Sequence, residues 1–176
     1  MKLENEHILL REPVIADAPF IPKNLDTVAF RFVPLPQPHS KKDSIEWIQK
    51  VRKENRNKRT YQFVIVDKKT KQLVGGMGLH HMSKINNKCE MGYLIYNKLR
   101  KKGIGFQAGQ LVLELAFRKL KLNKVSLQID IKNKASQALA RKLGFFREGR
   151  LKQEYFRNGK YYDAFIYSIF KRDWKQ

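Results

Sequence analysis

Residues 88–131 hold the feature that most limits the folds open to this chain: a strand-like run, KCEMGYLIYN, then the turn RKKGIG, a helical segment, and a second strand-like run, NKVSLQIDI. Two strands of one sheet joined through a helix close as a parallel crossover. The segments on either side obey a different rule. RTYQFVIVD, QLVGGMGLHHM and KCEMGYLIYN are linked by KKTK and SKINN, connections of hairpin length and composition, which predicts an antiparallel meander. RLKQEYFRNGKYYDAFIYSIF folds back on Asn158-Gly159, a strong two-residue turn signal, and predicts a long hairpin. A parallel crossover between antiparallel units makes the sheet mixed, in an α/β (α+β) chain.

The helices follow from periodicity. Ile104, Ala108, Leu111, Leu115 and Ala116 return to one side while Gln107, Gln110, Glu114 and Arg118 take the other, which predicts an amphipathic helix to about Lys121. In KKDSIEWIQKVRKENR, Asp43 and Glu46 have capping-box spacing and Ile45, Ile48 and Val51 share a face. NKASQALARKLGFF is a shorter helix begun by Asn133 and stopped at Gly144. EHILLREPV has strand character, ADAPFIPKNLDT reads as a short helix or turn, and FVPLPQPHS, with three of the six prolines, predicts an exposed stiff loop beside a cleft. The 176 residues form one unit, 1–176, without repeats.

Thirty-seven Lys and Arg against sixteen Asp and Glu leave a formal charge of +21. Such a surface draws in polyanions, whether nucleic acid, ribosomes or a phosphorylated cofactor. The cations are spread along the chain, which is equally what lysine gives as a general surface residue. No apolar run has signal-peptide or membrane-spanning length, so a soluble cytoplasmic protein is expected. The single Cys89, on a strand, reads as a small buried hydrophobe. Adjacent His80 and His81 are expected on opposite strand faces, and no paired Cys/His spacing occurs, so no metal is predicted.

The turn Arg100-Lys101-Lys102-Gly103-Ile104-Gly105 joins the carboxyl end of a strand to the first turn of a helix. Free amides there attract anions, glycine lets a phosphate approach the backbone, and the lysines add charge. Together they predict a diphosphate cradle. The P-loop pattern does not fit. The dinucleotide fingerprint is matched by Gly103, Gly105 and Ala108, with Asp130 ending the next strand, but an antiparallel meander ahead of it is the wrong context.

Arg100-x-x-Gly103-x-Gly105, preceded by EMGYLIYN and followed by Asn133-x-x-Ser136 and KLGFFREG, resembles the GNAT superfamily of N-acetyltransferases, in particular its RimJ/RimL-like group. The likeness covers nearly the whole chain. It implies a mixed, splayed sheet of about seven strands flanked by about four helices, with acetyl-CoA in the split. By the same resemblance the backbone of Leu94 and Ile95 would meet the pantetheine arm. The turn, from Arg100 through Lys101, Lys102, Gly103, Ile104, Gly105 and Phe106, would hold the diphosphate, and Asn133 would sit near the reactive end. Asn133 is also an ordinary helix cap, with Ser136 three residues on.

The tyrosine that many such enzymes use as an acid is replaced here by Ala140, and Ser136 is the acid that the RimL-like pattern offers. Where that group carries a glutamate base in LKQ-x-E-F, this chain has Tyr155, with Glu154 one residue earlier and hence on the other face of a regular strand. Glu154 re-aimed by a bulge, Tyr155 itself, or Glu90 acting through a water are the candidate bases. The implied reaction is acetyl transfer to a primary amine, such as a protein N-terminus, that of a ribosomal protein included, by a monomer or homodimer that binds no membrane. A small-amine acetyltransferase, for polyamines or aminoglycosides, and a non-catalytic RNA- or ribosome-binding module are the alternatives.

Overall fold

The computed structural model describes residues 1–33, 35–96, 100 and 102–175. Eight strands form a single sheet in the order β1-β2-β3-β4-β5-β6-β8-β7. They are β1 (Lys2–Glu4), β2 (Ile8–Arg11), β3 (Tyr61–Asp67), β4 (Leu73–Ser83), β5 (Lys88–Ile95), β6 (Lys124–Asp130), β7 (Phe146–Arg157) and β8 (Lys160–Phe170). Every neighbouring pair is antiparallel except β5 and β6. The meander, the crossover and the long hairpin lie where the turn residues put them. Asn158 and Gly159 take φ of 49° and 73°, both left-handed, as that hairpin turn requires.

EHILLREPV supplies β2 as expected, and a short strand that the sequence did not signal, β1, precedes it. Asn5 Oδ1 accepts hydrogen bonds from the amides of His7 and Ile8, each at 2.9 Å, and this Asx-type turn folds the chain back on itself. The five described helices are α1 (Phe20–Asn24), α2 (Thr27–Phe32), α3 (Lys41–Arg56), α4 (Ile104–Glu114) and α5 (Lys134–Lys142). The cap of α3 lies three residues earlier than the spacing suggested. Ser40 Oγ accepts from the Asp43 amide at 3.2 Å while Asp43 Oδ2 accepts from the Ser40 amide at 2.7 Å, so Asp43 closes the box and does not open it.

The main core lies between the sheet and α4, where Leu10, Phe63, Met77 and Met91 of the strands meet Ala108, Val112 and Leu113. A second cluster, Ala18, Ile21 and Ile48, covers the opposite face under α1 and α3. Strand β3 is thus buried on both sides, which explains its unbroken run Phe63–Val66 where a half-exposed strand would alternate. Past α4 the helix widens into a π turn, Leu115–Lys119, that sends Leu115, Ala116 and Phe117 all inward. Phe117, fully buried, packs on Trp174 with ring centroids 5.5 Å apart. Burial of such a ring stabilises the fold by about 2–3 kcal/mol.

Candidate functional site

Strands β5 and β6 pair only through Lys88 with Lys124, Cys89 with Val125 and Glu90 with Ser126. Beyond these, β5 continues to Ile95 and β6 to Asp130 without a further paired residue between them. The sheet splits there. A cleft of about 480 Å³ occupies the split and continues under α2 and α3, lined by Leu94, Asn133, Ser136, Glu90 and Tyr155 among others. Four candidates from separate parts of the sequence, together with Leu94, therefore share one cavity.

Ile95 and the described turn residues at the start of α4 are not among those lining the cleft; α4 begins against Ile95 of β5 and Leu139 of α5, next in the chain after the strand that carries Leu94. Its N-cap, Gly103, has φ of 79°, a conformation that favours glycine, and no side chain caps the helix. The contrast with α3 and α5 is informative: Ser40 and Asn133 accept the amides of their first turns, whereas among the described residues no side chain caps Ile104, Gly105 or Phe106. Uncapped first-turn amides at the positive end of a helix fit an anionic diphosphate, and exposed Lys102 stands beside them. Lys101 falls outside the described residues.

The remaining turn residues act differently. A Cβ on Gly105 would come within 3.0 Å of Leu139 Cδ2 and 3.5 Å of Ile95 Cγ1, so its bareness lets α4 approach α5 and β5. Phe106 packs on the core and lies under the Lys142 ammonium, 4.7 Å from its ring centroid. Arg100 turns toward α2. Its guanidinium grips Asp26 with two hydrogen bonds of 2.8 and 2.9 Å, and its Nε donates to the Ile95 carbonyl at 2.9 Å. These hydrogen bonds hold the Asp26 carboxyl below the usual carboxylate range. Asp26 also caps α2 through the Ala29 amide at 2.8 Å, so this ion pair ties the turn to the helices over the cleft.

Asn133 caps α5, its Oδ1 accepting from the Ser136 amide at 3.1 Å, and it lines the cleft as well. Ser136 has a partner that the sequence did not single out. The Tyr93 hydroxyl lies 2.6 Å from Ser136 Oγ and 3.3 Å from its carbonyl oxygen. Desolvation pushes the Tyr93 hydroxyl up to about 12, against the opposing effect of its hydrogen bond with Ser136. It stays protonated at neutral pH and can donate to Ser136. Strand position alone could not reveal this contact, because it joins β5 to α5.

The other candidates separate. Strand β7 does bulge: register jumps from Leu151 opposite Ala164 to Tyr155 opposite Tyr162, with Gln153 at φ of 55°. The bulge leaves Tyr155 lining the cleft and Glu154 exposed, outside the lining. Desolvation raises Tyr155 to about 12, with the Glu154 charge adding to the shift, so it holds its proton at neutral pH. Arg157 lies over the Tyr155 and Tyr162 rings at 5.2 and 4.5 Å, and it bonds both the Asp130 carboxylate and the Arg31 carbonyl. The hairpin is thereby tied to α2 and to the end of β6.

Glu90 remains, a carboxylate within the cleft, 3.2 Å from His81 Nδ1. The expectation that His80 and His81 point to opposite faces is overturned. Register slips between His80 and Ser83 and His81 takes φ of 49°, a bulge that lets both rings line the cavity in T-shaped contact, centroids 4.6 Å apart.

Comparisons with known proteins bear on this arrangement. The model of the family described as acetyltransferase (GNAT) domain matches residues 7–146. YoaA of Bacillus subtilis (strain 168), an uncharacterized N-acetyltransferase, is 30% identical over 171 residues, 96% of each chain. YdaF of the same organism, a ribosomal N-acetyltransferase candidate, is 34% identical over 103 residues; the match covers 58% of this chain and only 56% of that relative's length. The spermidine N(1)-acetyltransferase of Escherichia coli (strain K12) is 31% identical over 100 residues, 57% of this chain and 54% of its own. Among solved structures, the ribosomal α-N-protein acetyltransferase RimL in complex with coenzyme A superposes with a TM-score of 0.88 at 20% identity, covering 97% of this chain and 98% of that one, a likeness of fold. Among the described residues no helix is long and apolar enough to cross a membrane.

Proposed function

The chain belongs to the acetyltransferase (GNAT) domain family, and from that premise we propose that this N-acetyltransferase modifies a protein N-terminal α-amino group by direct attack on the thioester. Bound in the split, acetyl-CoA supplies an activated acyl carbon. The residues that would hold it are the amides of Gly103–Phe106 at the diphosphate and the edge of β5 at Leu94 and Ile95, which has no partner in β6 and where Arg100 Nε donates to the Ile95 carbonyl.

One observation carries the choice of acceptor. Among the described residues lining the cleft the only carboxylates are Glu90 and Asp130, and Asp130 is taken up by Arg157 and by the Lys132 amide at 2.8 Å. The other walls are mainly apolar and aromatic, including Phe32, Leu35, Trp47 and Tyr96, with neutral polar groups such as Gln62 and Gln128 among them. An acceptor with one ammonium group beside an apolar substituent suits such a pocket. A polyamine, with several ammonium groups, would leave most of them unpaired there. The similarity to a spermidine acetyltransferase favours the second reading, a polyamine acceptor.

Glu90 is the base that the geometry supports, taking the proton from the attacking amine directly or through a water. An α-amino group, with a reference pKa of about 7.7–8.0, needs little help to be neutral. Ser136 Oγ supplies the proton that the departing sulfur requires, and the protonated Tyr93 hydroxyl donates to Ser136 so that the serine hydrogen stays free for that transfer. The charge of +21 favours encounter with an RNA-rich particle such as the ribosome.

The test is thiol release from acetyl-CoA with three acceptors: a peptide with a free N-terminus and an apolar first residue, the same peptide blocked, and spermidine. Turnover with the first alone is expected, and Glu90→Gln should lower kcat by about 10²-fold. Faster turnover with spermidine would shift the assignment to polyamines. Acetyl-CoA binding with no turnover on any amine, alongside salt-sensitive RNA binding, would make the chain a binding module.

A further inference from the structure

The bulge at His81 has no role in the chemistry above, yet it puts a strained, left-handed, non-glycine residue beside the cleft. Its effect is to gather three donors from two neighbouring strands. His80 stands opposite Glu90 in register, His81 Nδ1 is 3.2 Å from Glu90 Oε2, and one ligand atom from each of the three lies within 4.8 Å of the others. All three line the cleft, and the two histidines also line a second groove of about 770 Å³ bordered by Trp47, Glu54 and Met82. An ion therefore has a path to the cluster from outside as well as from the cleft.

We propose that His80, His81 and Glu90 form a binding site for a divalent transition-metal ion, zinc in the first instance, and that the bound ion inhibits acetyl transfer by occupying the carboxylate needed as base. The inhibitory half rests on the function proposed above; the site itself does not. Two imidazoles and one carboxylate with an open fourth position are a donor set that zinc takes. Zinc bonds of about 2.0–2.1 Å put tetrahedral ligand atoms about 3.3 Å apart, close to the His81–Glu90 separation, and the third donor reaches the same centre by side-chain rotation. Lys50 and Lys84 border the second groove and disfavour cations held by charge alone. The site accordingly selects metals with strong affinity for imidazole and rejects magnesium and calcium.

Metal-free chain is titrated calorimetrically with zinc chloride and with magnesium chloride, and cobalt(II) is added separately to read its visible absorption. One zinc per chain, no heat with magnesium, and a cobalt spectrum of low-coordinate N/O type are expected. His81→Ala and Glu90→Gln should each weaken zinc binding at least tenfold, while His7→Ala and Cys89→Ala, both outside the cluster, should leave it unchanged; thermal melts check that every variant folds. Zinc should stop thiol release in the wild type, with the inhibitory concentration raised at least tenfold in His81→Ala. Zinc affinity indifferent to His81→Ala and Glu90→Gln, or lost in Cys89→Ala, would overturn the site, and this arm reads out even if no acceptor turns over. Stoichiometric binding to the cluster without inhibition would overturn the inhibitory role.

Discussion

Removing the Tyr93 hydroxyl tests how Ser136 is set up. Tyr93→Phe deletes both contacts that the hydroxyl makes, at 2.6 Å to Ser136 Oγ and 3.3 Å to the Ser136 carbonyl, whereas Ser136→Ala deletes only the first and leaves the carbonyl in place. A neutral hydrogen bond contributes about 1 kcal/mol net. Tyr93→Phe should therefore cost about 1.5–2 kcal/mol and Ser136→Ala about 1 kcal/mol, with the double variant near 1.5–2 kcal/mol, because the shared bond can be lost only once. In a domain of this size each kcal/mol lowers the melting temperature by about 2–4 °C. Urea unfolding of the four proteins gives the coupling energy, expected at about 1 kcal/mol, and steady-state kinetics gives the functional counterpart. There kcat should fall in the order wild type, Tyr93→Phe, Ser136→Ala, with the KM for acetyl-CoA changing less than about threefold, since neither group is assigned to the diphosphate. Strictly additive stabilities and a kcat insensitive to both changes would refute the pairing and the proton transfer built on it.

Three other outcomes follow from the same structure. Asp26→Asn keeps an acceptable cap on α2 but loses the charged partner of Arg100, and should cost about 1 kcal/mol near neutral pH. Because the Asp26 carboxyl is held below its unfolded value, its contribution is present above about pH 4 and fades as the pH falls through the depressed folded value, so wild type and variant should converge in acid melts. Cys89, 1% exposed with burial driving its thiol up to about 12, should react with Ellman's reagent only as fast as the chain unfolds, and rapid reaction of the native chain at pH 8 would contradict this. A Cβ on Gly109 would meet the Leu143 side chain at 2.6 and 2.8 Å, so Gly109→Val should lower stability by about 1–3 kcal/mol by forcing α4 and Leu143 apart, measurable by urea unfolding.

Local signals carried much of the fold. Turn residues at fixed places gave the meander and the Asn158-Gly159 hairpin, and a strand, a glycine turn, a helix and a strand in that order left a parallel crossover as the only closure. The glycine start of α4 and the cap at Asn133 were readable for the same reason, since caps depend on near neighbours. What escaped the sequence depends on partners far along the chain or on irregular backbone. Asp26 and Arg100 are 74 residues apart and Tyr93 and Ser136 43 apart, pairings that only the packed sheet creates. The bulges at His81 and Gln153 carry no glycine to mark them, yet they decide which faces His81, Glu154 and Tyr155 present. A strict two-residue alternation therefore sent the histidines apart when the structure brings them together.

Amide shifts recorded during titration of the isotopically labelled chain with coenzyme A, and separately with pantetheine, address the central claim directly, because the two ligands differ by the diphosphate and the nucleotide beyond it. The uncapped amides of Ile104, Gly105 and Phe106 should move strongly downfield with coenzyme A and hardly at all with pantetheine. Saturable binding of coenzyme A that leaves these three amides where they were would contradict the account.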